Sequence, residues 1–137
     1  MNRALFSSAS AEWATPRDVY DSLNAEFQFT LDPCPIDGSN GDGLAELFCS
    51  WEGHRVFVNP PYNRAVAKWL GRASEADIAV FLLPSRTDTR WFQDLVLPKA
   101  SEVRFIRGRL KFGGATNCAP FPSAIIIFKN PLTYTGI

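Results

Sequence analysis

The 137-residue chain lacks the features that mark membrane proteins, secreted proteins and metalloenzymes. No apolar run approaches the roughly 20 residues of a membrane span. No basic N-terminal region precedes an apolar stretch, as it would in a secretory signal. The single histidine, His54, and three cysteines without CxxC spacing disfavour a zinc site and most hydrolase schemes. We therefore expect a cytoplasmic protein with reduced cysteines and no metal.

The length of 137 residues, without an internal repeat or linker, predicts one domain over residues 1–137, with residues 1–11 as a flexible arm. Thr15-Pro16 predicts an N-cap followed by a proline at the first helical position. Strand-like and helix-like segments then alternate, which favours an α/β fold with a mostly parallel, doubly wound sheet flanked by helices. The predicted helices are 16–26, 64–73 and 89–97, the predicted strands are 27–31, 55–58, 78–83, 102–106 and 124–128, and we expect a helical turn at 44–48 and a hairpin arm at 110–114.

The most informative segment is Asn59-Pro60-Pro61-Tyr62, which directly follows the apolar run 56–58. Neither proline offers an N–H group, so the strand cannot continue as a ladder. An amide side chain, a fixed carbonyl and an aromatic ring can together hold a planar base, whose amino group donates to the Asn59 and Pro60 oxygens. Methylation of an exocyclic amine requires the amino group to be held in this way. A rigid turn with a rim aromatic is the alternative, and this motif alone leaves it open.

Three other predicted strands also end in special residues, at 32–35, 84–86 and 108–109. Ligands of open α/β sheets bind outside the carboxyl ends of the strands, so these residues are expected along one edge. A carboxylate, an amine-binding turn and two arginines at one edge predict an active site.

Charge is unevenly distributed although its formal sum is zero. Residues 1–54 contain two basic and nine acidic residues, whereas residues 55–137 contain twelve basic and five acidic ones. Such asymmetry indicates a polyanionic partner, and a solvated basic face is the alternative. The predicted DNA contacts are Arg86, Arg90, Arg107, Arg109 and Lys111.

Several motifs follow one another in a characteristic order, and the set resembles the phage-type DNA N6-adenine methyltransferases, a compact family often found in phages and prophages. The match extends over about residues 13–128. The motifs are Trp13-Ala14-Thr15-Pro16, Leu31-Asp32-Pro33-Cys34, Asp42-Gly43-Leu44, Val58-Asn59-Pro60-Pro61-Tyr62, Leu83-Pro84-Ser85-Arg86, Gly108-Arg109-Leu110 and Ala119-Pro120-Phe121.

The resemblance implies a Rossmann-like methyltransferase fold, S-adenosyl-L-methionine as the cofactor, and double-stranded DNA with a flipped adenine as the substrate. It implies that Asn59, Pro60, Pro61 and Tyr62 form the catalytic turn. The implied cofactor contacts are Trp13, Thr15, Pro16, Asp32, Pro33, Cys34 and Asn59. The region between the first strand and the Asn-Pro-Pro-Tyr turn is too short for two full strands, so the candidates for the ribose hydroxyls are Asp42 and Glu46. We expect no separate target-recognition domain, so loops of the core would contact the DNA.

Three alternatives remain open at this point. The same turn could methylate a glutamine side-chain amide of a protein, or N4 of cytosine, because both present an amino group on a planar system. The chain could also be an inactive DNA-binding relative. Roles in protecting phage DNA and in restriction–modification are both compatible with the resemblance.

Overall fold

The computed structural model describes residues 14–33, 50–113 and 116–133. The predicted arm, the turn at 44–48 and the candidate residues Trp13, Cys34, Asp42 and Glu46 lie outside these ranges. Within them, no helix is long and apolar enough to cross a membrane. The same ranges contain no group of three histidine, cysteine or acidic side chains that could hold a metal ion.

The core is a four-stranded mixed sheet in the order β1-β2-β4-β3. β1 pairs in parallel with β2, whereas β4 is antiparallel to both β2 and β3. The prediction of a mostly parallel sheet is therefore wrong for the pairing of strands. The strands are β1 (Arg55–Val58), β2 (Ile78–Pro84), β3 (Glu102–Phe105) and β4 (Ser123–Lys129).

The direction of β4 follows from the connection that precedes it. A parallel neighbour requires a crossover, usually a helix, that returns the chain to the opposite edge of the sheet. The described parts of the connection, 106–113 and 116–122, contain no helix. The chain therefore enters β4 from the edge at which β3 ends.

Both faces of the sheet are covered, as the unbroken apolar run of β2 predicts. All seven residues of β2 are buried. Phe81 faces a cluster that includes Trp51 and Trp69, whereas Leu82 faces a second cluster that includes Phe27 and Phe57. Because both faces of the sheet are covered, a ligand can bind only at its edges.

The first helix, α1 (Arg17–Phe27), confirms the predicted helix but not its cap. Its N-cap is Pro16, and no side chain makes a capping hydrogen bond. The helix ends at Gln28, which has a left-handed φ of 54°. Because α1 extends through Phe27, the predicted strand 27–31 is reduced to a single parallel bridge between Leu31 and Val56.

The remaining helical predictions hold with shorter bounds. Helix α2 comprises Val66–Gly71 and is followed by a 3₁₀ turn at Ala73–Glu75. The predicted helix at 89–97 becomes a π-helix at Phe92–Val96, because the Leu97 amide donates to the Phe92 carbonyl five residues earlier, at 3.0 Å.

The predicted hairpin arm is not formed in the described residues 110–113. They contain no strand. This segment is joined instead to residue 119 by one bond, from the Ala119 amide to the Leu110 carbonyl at 2.8 Å.

Candidate active site

The predicted strand ends meet at one edge of the sheet. β1 and β2 are parallel, and β3 runs in their direction because β2 and β3 are both antiparallel to β4. Leu31 lies parallel to β1, with the Phe57 amide donating to the Leu31 carbonyl at 3.0 Å. Asp32, Asn59 and Arg86 therefore follow neighbouring segments at the same edge. We call it the catalytic edge, after the role that the sequence predicts for it.

Asn59 is held at both ends of its side-chain amide. Its Nδ2 donates to Thr15 Oγ1 at 3.0 Å, and its Oδ1 accepts from the Tyr62 hydroxyl at 2.7 Å. Pro60 is buried, and the Asn63 amide donates to the Pro61 carbonyl at 3.0 Å, which closes the turn before α2. Residues 59–62, the predicted catalytic turn, are therefore held in a fixed geometry.

Tyr62 is half-buried, and its ring packs against two phenylalanines. It meets Phe112 at 81° with 6.2 Å between centroids, and Phe121 at 79° with 5.7 Å. The Tyr62 hydroxyl also lies 3.1 Å from the Leu82 carbonyl oxygen. Burial raises the pKa of Tyr62, so the hydroxyl stays a protonated donor at every physiological pH.

Asp32 supplies a negative charge beside the turn. Its side chain is half-buried, and the following Pro33 is buried. Burial raises the pKa of Tyr20, and the nearby carboxylates of Asp32 and Asp21 raise it further. Asp32 thus lies near Tyr20 of α1, at the catalytic edge.

The five predicted DNA contacts are all exposed. Within the described residues none of them forms a salt bridge. The Arg86 guanidinium carbon lies 5.6 Å from the centroid of Phe121, whose ring contacts Tyr62. Arg107 and Arg109 flank Gly108, whose φ of 74° turns the chain after β3. Arg86 is therefore linked to the catalytic turn through one aromatic ring.

Arg104 differs from these arginines. It donates to both carboxylate oxygens of Glu26 at 2.8 Å and to Glu102 at 2.6 Å. These contacts raise the pKa of Arg104 and lower the pKa values of Glu26 and Glu102. This arginine fastens α1 to β3, so it is a structural residue within the basic half of the sequence.

Sequence reasoning missed four partners of the turn: the hydroxyl of Thr15, the carbonyl of Leu82 and the rings of Phe112 and Phe121. The position of Thr15 predicts a helix cap, and the Leu82 carbonyl belongs to the backbone of a strand. Neither pattern indicates a contact with the turn. Phe121 belongs to one of the ordered motifs, but its contact with Tyr62 depends on the antiparallel entry of β4.

A small α/β domain with an Asn-Pro-Pro-Tyr turn at the carboxyl edge of its sheet defines the class of amino-methyltransferases. The chain belongs to the family described as DNA N-6-adenine-methyltransferase (Dam), whose model matches residues 4–133. It is similar to a DNA N-6-adenine-methyltransferase of Haemophilus phage HP1 (strain HP1c1), with 25% identity over 143 residues, covering 91% of this chain and 82% of the phage protein. No solved structure gives a significant match. The resemblance seen in the ordered motifs is thereby confirmed.

Proposed function

We propose that the protein transfers a methyl group from S-adenosyl-L-methionine to N6 of adenine in double-stranded DNA. Membership of the Dam family supports the reaction and the base. The observation that carries the assignment to this site is the fixed Asn59 amide at the catalytic edge. We also infer a Rossmann-like methyltransferase fold, because Leu31 and three of the four strands run in one direction towards that edge.

Asn59 and Pro60 bind the amino group of the target base. The Asn59 Oδ1 and the Pro60 carbonyl accept the two N–H bonds of N6, and this draws the nitrogen lone pair out of conjugation with the ring. A keto oxygen at the same position would face two acceptors, so the pair selects an amino group. The proton lost from N6 leaves by way of the Asn59 oxygen to water, and no histidine is required.

Tyr62 binds the plane of the base. The residue is partly exposed, and Phe112 and Phe121 fix the orientation of its ring. Stacking of a base on an aromatic side chain contributes about 1–3 kcal/mol. Because the turn is rigid, most of the catalytic effect comes from placing the reacting atoms in line.

The described residues fit the proposed cofactor in part. A half-buried carboxylate, Asp32, beside the buried Pro33 suits a ligand that carries an ammonium group and hydroxyls. Thr15 and Pro16 lie next to the catalytic turn through the Asn59 hydrogen bond. When bound, S-adenosylmethionine supplies an electrophilic methyl group on its sulfonium.

DNA reaches the site through the exposed basic residues. A target adenine is hidden in the duplex and must be flipped out, at a cost of a few kcal/mol. Arg86 is linked to the turn through the Phe121 ring, and the arginines beside Gly108 follow β3 at the far side of the sheet. Their guanidinium groups make no salt bridge in the part of the chain that the structure describes, and they suit the phosphate backbone.

The experiment that tests this function is a labelling assay. The purified protein is incubated with radiolabelled S-adenosylmethionine and unmethylated DNA, and the DNA is digested to nucleosides. We expect label in N6-methyl-2′-deoxyadenosine that disappears with Asn59→Ala. Label in N4-methyl-2′-deoxycytidine, label in a protein amide, or cofactor-independent DNA binding without label would each overturn the proposal.

A further inference from the structure

We propose that Thr15 is a positioning residue for catalysis, which holds the Asn59 amide so that its oxygen faces the substrate amine. The proposal rests on the proposed function, because it assigns a role within the same site. It differs from the role implied by the resemblance, in which Thr15 contacts the cofactor.

The Thr15 side chain does not cap α1, although its position before Pro16 predicts a cap. A threonine before a proline at a helix start usually accepts a hydrogen bond from the first turn of the helix. Here α1 has no side-chain cap, and the Thr15 hydroxyl oxygen accepts instead from Asn59 Nδ2, 44 residues away, at 3.0 Å. Forgoing a cap costs stability, so the hydroxyl serves an interaction outside the helix.

The backbone on each side of Thr15 is itself fixed. The Ala14 carbonyl accepts from the Gly113 amide at 2.8 Å, and the Pro16 carbonyl accepts from the Tyr20 amide at 3.0 Å. Thr15 therefore approaches the catalytic turn from a segment anchored to α1 and to residues 110–113. A hydroxyl held in this way can restrain a neighbouring side chain.

The orientation of Asn59 matters because its amide presents a donor and an acceptor of nearly the same shape. An amino substrate needs the acceptor, and a reversed amide would place a donor against a donor. With Nδ2 committed to Thr15, Oδ1 lies towards Tyr62. The Tyr62 hydroxyl has the Leu82 carbonyl at 3.1 Å as a second acceptor, so its proton can turn away when the substrate amine arrives.

The test compares Thr15→Val, which keeps the shape and removes the hydroxyl, with Thr15→Ser, which keeps the hydroxyl. We expect Thr15→Val to lower the single-turnover methylation rate about tenfold, with the cofactor dissociation constant changed less than about threefold. Thr15→Ser should recover most of the lost rate. Thermal melts of both variants report whether either change acts through folding.

A second measurement does not depend on activity. In ¹⁵N–¹H NMR spectra, the side-chain amide pair of Asn59 is assigned by its loss in Asn59→Ala. Thr15→Val should shift that pair, and Thr15→Ser should return it towards its original position. An unshifted pair, a Thr15→Val enzyme as fast as Thr15→Ser, or a loss of cofactor affinity that matches the loss of rate would each overturn the positioning role. An inactive wild-type protein with the expected NMR shifts would instead overturn the proposed function alone.

Discussion

The catalytic turn and the candidate DNA contacts lie in the same half of the sequence, but they differ in whether their polar groups are bound by other parts of the protein. Asn59 and Tyr62 are bound to each other and to groups from distant segments. The five candidate DNA contacts make no salt bridge within the described residues. The turn needs fixed geometry because the reacting atoms must be placed closely, whereas phosphate binding needs charge that can adapt. The comparison predicts large effects on turnover in the turn and graded effects on affinity among the arginines.

The largest effect is expected for Asn59→Ala, which removes an acceptor for N6. Turnover should fall about 100- to 1000-fold, by analogy with the loss of other preorganised polar groups that act on a reacting atom. Cofactor affinity, measured by calorimetry, should change little. Equal losses of turnover and cofactor affinity would instead assign Asn59 to the cofactor.

Replacement of Tyr62 should separate its ring from its hydroxyl. Tyr62→Ala removes the stacking surface, and we expect a loss of about 10- to 100-fold in kcat/KM for DNA. Tyr62→Phe keeps the ring and should lose less than about fivefold. Melting curves distinguish lost stacking from the cavity that alanine leaves between Phe112 and Phe121. A Tyr62→Phe variant as impaired as Tyr62→Ala would show that the hydroxyl matters more than the ring.

Arg109→Ala should weaken DNA binding several-fold and leave the turn intact. Affinity falls as the salt concentration rises, and removal of one phosphate contact makes the slope of log affinity against log salt concentration shallower by about 0.9. Arg104→Ala is the matched control, because the Arg104 guanidinium is already bound by Glu26 and Glu102. A salt slope that is unchanged in Arg109→Ala, or reduced in Arg104→Ala, would contradict the assignment.

The smallest effect is expected from Arg104→Ala on stability. Its ion pairs join side chains that are all at least 36% exposed, so we expect a loss below about 1 kcal/mol. Hydrogen bonds from Arg104 lower the pKa values of Glu26 and Glu102 from 4.5, so their contribution is present above that pH and lost as pH falls through the lowered values. Chemical denaturation at pH 7 and at pH 3 should therefore show a smaller difference between wild type and variant at the lower pH.

The elements that could be predicted are those whose sequence signals lie within the element itself. The runs that form β1, β2 and β4 are apolar and bounded by polar or proline residues, so their positions were predicted within two residues. The catalytic turn was predictable because two prolines restrict the backbone wherever they occur.

The features that were not predicted depend on contacts between distant segments. The direction of β4 depends on a helix-free connection, and the neutralisation of Arg104 depends on Glu26, which is 78 positions away. The capping pattern at Thr15 was misleading because a tertiary hydrogen bond to Asn59 replaced the local one. Local propensity describes an isolated segment, and such contacts outweigh it.

The position of β3 at the end of the sheet order has a consequence for solubility. An edge strand leaves backbone groups unpaired on its outer side, where a second chain could add as a further strand. Glu102 and Arg104 belong to this strand, and charged side chains on an edge strand discourage such pairing. We therefore expect that loss of the cluster that fastens α1 to β3 would lower the solubility limit of the protein before it unfolds the domain.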